Sequence, residues 1–202
     1  MTSDDAALFE RCMGVGGVAV FPADTVYGLA CEPDDKEAVR RLYALKRRLP
    51  DKPAAVMFFD ISLALEAVPE AGPLTHEALG RIMPGPVTAL LDNPARRFPL
   101  ACADQPETLG LRVPLLSGSL EPLSEVRWPV LQSSANLAGG SDARRVEDVP
   151  AEIREGCDLV LDGGELPGVP STVVDLRGYE STRQWSVIRE GGMPLAQLEE
   201  LL

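Results

Sequence analysis

Histidine and closely spaced cysteines are almost absent from this sequence. Its one histidine is His76, and its four cysteines, Cys12, Cys31, Cys102 and Cys157, lie far apart with no C-x-x-C motif. Zinc sites and disulfide frameworks need closer groups of these residues. We therefore expect neither, and we expect each cysteine to be a small buried apolar residue.

Positive charge is also scarce. The chain has 19 Lys and Arg against 31 Asp and Glu, a net charge of −12, which argues against a broad nucleic-acid surface and allows at most a weak RNA contact. The exception is a local cluster of six cations: Arg40, Arg41, Lys46, Arg47, Arg48 and Lys52. Such a cluster indicates either an anionic ligand or a solvated helix face with i,i+4 ion pairs.

Long apolar runs and known nucleotide-binding motifs are missing too. No apolar run approaches the roughly 18 residues of a membrane span, and the N-terminal residues 1–5 are acidic, so we expect no signal peptide, no membrane contact and a cytoplasmic location. The string Gly14-x-Gly16-Gly17 precedes a predicted strand and therefore fails as a dinucleotide fingerprint. A G-x-x-x-x-G-K-[ST] loop does not occur either.

The most informative segment that is present runs from Phe21 to Ala30. A buried strand predicted over residues 16–21 leads into Asp24, Thr25 and Tyr27, which we place in the loop at its carboxyl end. Ligands of open α/β sheets bind at that edge. Taken alone, an ordinary connection in which Asp24 or Thr25 caps the next element explains the segment equally well.

Hydrophobic periodicity and capping residues predict the elements around this segment. The predicted helices span residues 3–14, 36–48, 60–68, 75–83, 116–126, 146–156 and 194–202. The predicted strands span residues 16–21, 54–59, 87–91, 109–113, 129–132, 159–161, 172–176 and 185–189. Because strands slightly outnumber helices, the expected fold is α/β, with a twisted mixed sheet flanked by helices.

Taken in order, the polar motifs of the chain resemble those of the YrdC/TsaC-like family of threonylcarbamoyl-AMP synthases. The resemblance runs from about Gly16 to Gly191. The matching pieces are Pro22-x-Asp24-Thr25-Val26-Tyr27-Gly28-Leu29, Lys46-x-Arg48, Lys52-Pro53, Pro84-Gly85-Pro86-Val87-Thr88, Gly110-Leu111-Arg112-Val113-Pro114, residues 133–139 (Ser-Ser-Ala-Asn-Leu-Ala-Gly), Ser171-Thr172-Val173-Val174-Asp175 and Ile188-Arg189-Glu190-Gly191.

The resemblance implies one YrdC-like domain over residues 1–202 with a concave ligand-binding face. It implies an enzyme of the nucleotidyltransferase type that joins L-threonine, bicarbonate and ATP, with Mg²⁺, into threonylcarbamoyl-adenylate. The product would pass to the proteins that transfer it to tRNA for t6A modification. The threonine amine can attack carbon dioxide without a protein nucleophile, so such an enzyme needs to supply positioning and charge neutralisation.

The resemblance also implies roles for particular residues. Lys46 and Arg48 would be the catalytic cations, and no protein metal site is implied. The implied ATP-binding residues are Lys46, Arg48, Lys52, Thr108, Ser134, Asn136, Asp142 and Arg189, and the implied threonine-binding residues are Thr25, Arg112, Gln132 and Ser171.

Two positions depart from the family pattern. Ala23 stands where the first loop commonly has Thr, and Met57 stands where longer members have His. A divergent paralogue that binds RNA or nucleotide without synthase activity is the alternative. A third interpretation, the carbamoyl-transfer module of a hydrogenase maturation protein, lacks the expected zinc-finger cysteine clusters and further domains.

Overall fold

Nine strands and eight α-helices make up the computed structural model, which describes residues 1–202. The strands are β1 Val18–Pro22, β2 Tyr27–Cys31, β3 Ala55–Met57, β4 Val87–Asp92, β5 Thr108–Arg112, β6 Val130–Ser134, β7 Leu159–Val160, β8 Thr172–Asp175 and β9 Ser186–Arg189. The α-helices are α1 Ser3–Gly14, α2 Lys36–Leu45, α3 Ile61–Glu66, α4 Pro73–Ile82, α5 Pro99–Cys102, α6 Ala151–Gly156, α7 Tyr179–Thr182 and α8 Leu195–Leu201. Short 3₁₀ helices occur at Pro69–Ala71, Gly118–Glu125 and Val146–Asp148.

All nine strands belong to one mixed sheet, in the order β7-β1-β2-β6-β3-β5-β4-β8-β9. The pairs β1/β7, β3/β5 and β4/β8 are parallel, and the remaining neighbours are antiparallel. The predicted α/β class with a mixed sheet flanked by helices is therefore confirmed. No helix is both long and apolar enough to cross a membrane.

The two faces of the sheet are covered unequally. Side chains alternate between faces along a strand, so Val56 and Met57 of β3 point in opposite directions. Val56 belongs to a core of 37 buried residues, to which α2 and α4 contribute their apolar faces. Met57 belongs to a second core of only 14 buried residues, built around α1. Because the second core is small, α1 covers only part of its face.

An aromatic cluster holds α1 on the sheet. The ring centroids of Phe9, Phe21 and Phe59 lie 5.2 to 6.3 Å apart, in tilted and edge-to-face arrangements. Such pairs add about 0.5–1.5 kcal/mol each beyond the burial of their area. Ala23, the first departure from the family pattern, is 1% exposed and lies in the same core, as does Met57.

The capping signals located most helix starts correctly. Asp35 begins α2 by accepting hydrogen bonds from the backbone N–H groups of Glu37 and Ala38. This helix ends three residues earlier than predicted, because Arg47 has a positive φ of 49°. The helices predicted over 116–126 and 146–156 are wrong in detail, since Pro122 lies inside a 3₁₀ helix and Pro150 separates the second into two pieces. The short helices α5 and α7 were not predicted.

The strand β2 was also missed, and it changes the interpretation of the Phe21–Ala30 segment. β1 and β2 form an antiparallel hairpin, so Asp24 and Thr25 lie in its turn while Tyr27 lies in a strand. Gly28 and its small neighbours give little strand signal. The small residue is needed, since a Cβ on Gly28 would lie 2.9 Å from Cε1 of Phe21.

The cysteines behave largely as expected. Cys12, Cys31 and Cys102 are buried, Cys157 is half-buried, and all four are free thiols. Burial raises the pKa of Cys31 to about 12. The expectation of small buried apolar residues is therefore correct for three of the four.

A close backbone crossing at Gly191 yields the first prediction. A Cβ on Gly191 would overlap the carbonyl oxygen of Pro170 and the backbone of Ser171. We expect Gly191→Ala to lower the free energy of unfolding by about 1–3 kcal/mol, since backbone must shift to admit the methyl group. Urea denaturation measures the effect. Gly14→Ala is the matched control, because its Cβ would meet nothing within 4 Å; equal losses in the two variants would contradict the close contact.

Candidate functional site

A cavity of about 270 Å³ lies on the part of the sheet face that α1 leaves open. The lining residues of β4 and β5 come from alternate positions, as one face of a sheet requires, whereas three consecutive residues at the end of β6 contribute. From β4 they are Thr88 and Leu90, from β5 Thr108, Gly110 and Arg112, from β6 Gln132, Ser133 and Ser134, and from β8 and β9 Val173 and Arg189. The other lining residues are Val26, Arg48, Pro53, Ala54, Ala55, Gln105, Asp142, Pro170 and Ser171.

The expected position at a carboxyl edge of the sheet is wrong. In β5, both the first residue, Thr108, and the last, Arg112, line the cavity. The edge rule applies where parallel strands end together. Here β5 is parallel to β3 and antiparallel to β4, so the carboxyl ends of neighbouring strands lie at opposite edges. The face of the sheet, and not its edge, gathers the polar side chains.

Three guanidinium groups line the cavity, from Arg48, Arg112 and Arg189, whereas Asp142 supplies the only carboxylate. This balance is opposite to that of the whole chain, whose net charge is −12. Positive groups in a cleft concentrate anions there. The cavity is thus built for a negatively charged ligand.

Arg112 is only 3% exposed, and hydrogen bonds fix the position of its guanidinium group. Its Nη2 donates to Oδ1 of Asp24 at 2.5 Å and to Oγ1 of Thr25 at 2.6 Å. The other carboxylate oxygen of Asp24 accepts from the backbone N–H of Leu115 at 3.0 Å. The Nε of Arg112 is buried without an acceptor. A buried donor left unpaired is costly, so this N–H group is available to an acceptor oxygen of a ligand or of water.

Arg48 shows the same combination of a fixed end and a free donor. Its Nη2 donates to the carbonyl of Pro53 at 2.7 Å, and its Cζ lies 5.8 Å from the ring centroid of Tyr43. Its Nε is buried without an acceptor. Arg48 and Arg112 are the two residues of the chain with buried, unpaired side-chain polar atoms.

Ser171 and Arg189 are brought together as predicted, and they line the same cavity as Ser134. The Nη2 of Arg189 donates to the carbonyl of Ser171 at 2.7 Å and more weakly to its Oγ at 3.4 Å. Oγ of Ser171 also lies 2.9 Å from Oγ1 of Thr88. The sequence motif Pro84–Thr88 included Thr88, but no role was predicted for it.

Lys46 does not line the cavity and is only 1% exposed. Its Nζ donates to the carbonyl oxygens of Ser134 and Asn136 and to Oδ1 of Asn136. Burial, and then repulsion by Arg48, lower its pKa to about 8. Loss of Lys46 would leave these buried oxygens without their donor, so the residue contributes to the stability of the fold. The residue holds the turn after β6.

The rest of the cation cluster divides into solvated pairs and one free cation. Arg40 pairs with Glu37, Arg41 with Asp158 and Arg47 with Glu152, all in largely exposed contacts. Lys52 is exposed and lies outside the cavity lining. The solvated-face interpretation is thus correct for Arg40, Arg41 and Arg47, whereas binding of an anionic ligand by Arg48 stays a prediction.

Eight of the twelve predicted site residues line the cavity: Arg48, Thr108, Arg112, Gln132, Ser134, Asp142, Ser171 and Arg189. Thr25 accepts a hydrogen bond from the lining residue Arg112, and Lys46 donates to the lining residue Ser134. Asn136 accepts from Lys46, and Lys52 is not among the lining residues. The prediction missed Thr88, Gln105 and Ser133 among the polar lining residues. Thr88 and Ser133 fell within recognised motifs, whereas Gln105 lies in a loop with no sequence signal.

The cavity lining includes no cysteine and no histidine. The chain also has no group of three or more His, Cys, Asp or Glu side chains arranged to hold a metal ion. The polar side chains of the lining carry hydroxyl, amide and guanidinium groups and the carboxylate of Asp142.

Comparison with known proteins identifies the family of this chain. Residues 11–191 match the Sua5/YciO/YrdC family model, which is described as "Telomere recombination". The chain belongs to this family. The resemblance inferred from the motifs is confirmed.

Two relatives and one solved structure illustrate the family. A protein named threonylcarbamoyl-AMP synthase from Pyrococcus abyssi is 28% identical over 191 residues, which cover 93% of this chain and 54% of that protein. One of the same name from Chromohalobacter salexigens is 33% identical over 91% of this chain and 98% of its own length. The crystal structure of P. abyssi Sua5 complexed with L-threonine has a TM-score of 0.84 at 27% identity, covering 100% of this chain and 58% of that one. The chain thus spans about half the length of the Pyrococcus relative.

The lowered pKa of Lys46 yields the second prediction. In Lys46→Met, three buried acceptor oxygens lose their donor, so we expect the free energy of unfolding to fall by about 1–3 kcal/mol. The folded-state pKa, about 8, lies below the ordinary 10.5. Between these values the unfolded chain binds more protons at this residue than the folded chain does, so wild type gains stability relative to the variant as pH rises.

Urea denaturation of both proteins at pH 7.5 and at pH 9.5 measures this difference. Comparing wild type with Lys46→Met cancels the titration of the cysteines and tyrosines, which both proteins share. A stability difference that stays constant between the two pH values would show that Lys46 titrates normally and would contradict the burial argument.

Proposed function

We propose that this chain is a threonylcarbamoyl-AMP synthase of the nucleotidyltransferase type, acting on L-threonine, bicarbonate and ATP. The observation that carries the proposal is the convergence of Arg48, Arg112 and Arg189 on one cavity. Two of these guanidinium groups keep a buried donor without an acceptor. A triphosphate and an amino-acid carboxylate together supply such acceptors. The names of the relatives support the same reaction.

The proposed reaction needs no nucleophile from the protein. The amine of threonine attacks carbon dioxide derived from bicarbonate, losing a proton and forming a carbamate. A carbamate oxygen then attacks the α-phosphorus of ATP, and the bond to the β-phosphate oxygen breaks to release pyrophosphate. The enzyme contributes by aligning the two reactants and by offsetting charge that would repel the carbamate. The absence of Cys and His from the cavity is consistent with this scheme.

In this proposal, some residues at the cavity bind threonine and others bind ATP. Arg112 suits a carboxylate, because a guanidinium can grip it through two N–H groups. Arg48 and Arg189 suit the phosphates. In this proposal, Thr25 and Gln132 assist with threonine, whereas Thr108 and Ser134 assist with the nucleotide. Small residues, Ala55 and Gly110, form the middle of the lining and leave room for a planar base.

Lys46 and Asn136 enter the proposal as positioning residues. Lys46 donates hydrogen bonds to Oδ1 of Asn136 and to the carbonyl oxygen of Ser134. Ser134 in turn donates to Oδ1 of Asn136 at 2.7 Å.

The residues present fit Mg²⁺ that arrives with ATP. Mg²⁺ at nucleotide sites is commonly held by phosphate oxygens, water and one or two carboxylates. Asp142 is the one carboxylate of the cavity lining and could supply that ligand. When bound, Mg²⁺ would neutralise part of the phosphate charge.

The product would pass to proteins that transfer the threonylcarbamoyl group to tRNA, and a cytoplasmic location stays a prediction. The alternative is a divergent relative that binds nucleotide or RNA without this activity. Ala23 gave that alternative its main support, but its side chain lies in the aromatic core beside α1 and not in the cavity. The names of the relatives likewise favour the synthase.

The third prediction concerns the substrates. With Mg²⁺ and ATP, release of pyrophosphate should require both L-threonine and bicarbonate, because only the carbamate formed from both can attack the α-phosphorus productively. A coupled pyrophosphate assay, run with each substrate left out in turn, measures this. No adenylyl label from α-labelled ATP should remain on the protein. Threonine-independent release, or none with all substrates present, would favour the alternative.

The fourth prediction separates the cavity cation from its solvated neighbours. Arg48→Ala should lower the turnover of ATP by about 100-fold, the scale of losing a charge-stabilising group at a reacting centre. Arg40→Ala is the matched control, because this arginine is 69% exposed, pairs with Glu37 and lies outside the cavity lining. We expect its turnover to match wild type. Equal turnover in both variants would show that Arg48 has no part in the reaction.

A further inference from the structure

Thr88 and Ser171 form a buried pair of hydroxyl groups in the wall of the cavity. Their oxygens lie 2.9 Å apart, and the residues are 8% and 4% exposed. Both residues line the cavity. The resemblance implies a role for Ser171 in binding threonine but none for Thr88.

The hydrogen bonds of this pair leave one proton without an acceptor. Two hydroxyl groups carry two O–H protons, and the bond between the two oxygens uses one. The remaining contact of Ser171 Oγ comes from Arg189, which is itself a donor. No other hydrogen bond is made by either hydroxyl in the protein. The pair therefore presents one O–H donor to a ligand.

Either hydroxyl can be the donor in the bond between them, and the proposal takes Thr88 as the donor. Oγ of Ser171 then accepts from both Arg189 and Thr88, which uses its two lone pairs. The Ser171 proton is then the only part of that hydroxyl still free to bond. Thr88 is a β-branched strand residue with a restricted χ1, so its hydroxyl is held in place relative to Ser171.

Arg112 lies beside this pair on the same face of the sheet. Ala89 of β4 pairs with Leu111 of β5 in an antiparallel ladder. Thr88 precedes Ala89 and Arg112 follows Leu111, so the two are cross-strand neighbours about 4.5–5.5 Å apart at Cβ. A ligand oxygen between them would meet the guanidinium from one side and a hydroxyl proton from the other. A carboxylate, with two acceptor oxygens, fits both donors.

We propose that Thr88 is a positioning residue for the amino-acid substrate: it donates to Ser171 and so turns the Ser171 hydroxyl proton toward the substrate carboxylate held by Arg112. This inference rests on the proposed function, since it takes the ligand at Arg112 to be L-threonine. It adds a residue that acts only through Ser171.

Two variants of Thr88 test the role of its hydroxyl group. Thr88→Val keeps the shape and removes the hydroxyl, whereas Thr88→Ser keeps the hydroxyl and removes the methyl group. We expect Thr88→Val to raise the KM for L-threonine about tenfold, with the KM for ATP and the kcat changed less than about threefold. Thr88→Ser should restore the KM to within about threefold of wild type. Urea denaturation of both variants checks that each is folded.

A double variant shows whether Thr88 acts through Ser171. If it does, Thr88→Val combined with Ser171→Ala should have the same KM for threonine as Ser171→Ala alone, because the hydroxyl being positioned is already gone. Additive losses would overturn the proposal, as would an unchanged KM in Thr88→Val or an equal rise in the KM for ATP. If Thr88→Val does not fold, the same comparison with Thr88→Ala decides the question.

The proposed function can fail separately from this inference. Calorimetric titration of wild-type protein with L-threonine, with and without ATP, reports binding independently of turnover. Absence of threonine binding and of threonine-dependent pyrophosphate release in wild type would reject the synthase assignment. Normal wild-type activity with an unaltered Thr88→Val would reject only the role of Thr88.

Discussion

Unequal coverage of the two faces of one sheet is the constraint on which the site depends. A strand that is buried on one side and polar on the other alternates its side chains, and β5 does so from Thr108 to Arg112. The larger core, of 37 buried residues, packs against one face of these strands. On that second face α1 and its phenylalanines fill only one part, so small and polar residues can surround a cavity in the rest.

Two of the three cavity arginines are removed from water to different extents: Arg112 is buried and Arg48 is half-buried. Taking a guanidinium out of water costs several kcal/mol unless other groups replace the water. Asp24 and Thr25 do this for Arg112, and the carbonyl of Pro53 with the ring of Tyr43 does it for Arg48. The Nε of each of these two arginines is buried without a hydrogen-bond acceptor. The hairpin turn between β1 and β2 is thus both a structural brace for Arg112 and a boundary of the ligand site.

The elements that could be predicted are those with strong local signals. Asp35 and Asp60 cap α2 and α3 as their sequences indicate, because capping depends on residues within one turn. The strand β2 escaped prediction because Gly28, Ala30 and Cys31 have little intrinsic preference for strands. It forms because it lies between β1 and β6, and its pairing with β6 joins residues far apart in sequence. The carboxyl-edge position of the site failed for the same reason, since strand direction in a mixed sheet is a property of the whole topology.

The sequence by itself determined the α/β class, the capped helices, the family and most of the residues around the cavity, since motifs and caps are local patterns. Only the tertiary structure decided what each cation does. Lys46, Arg47 and Arg48 are consecutive, yet one is buried against carbonyl groups, one pairs with Glu152 in solvent and one enters the cavity. The backbone leaves the helical conformation at the end of α2, with a positive φ at Arg47, and the three side chains therefore point in different directions. Burial and hydrogen-bond partners come from distant segments, so no local pattern could distinguish these three roles.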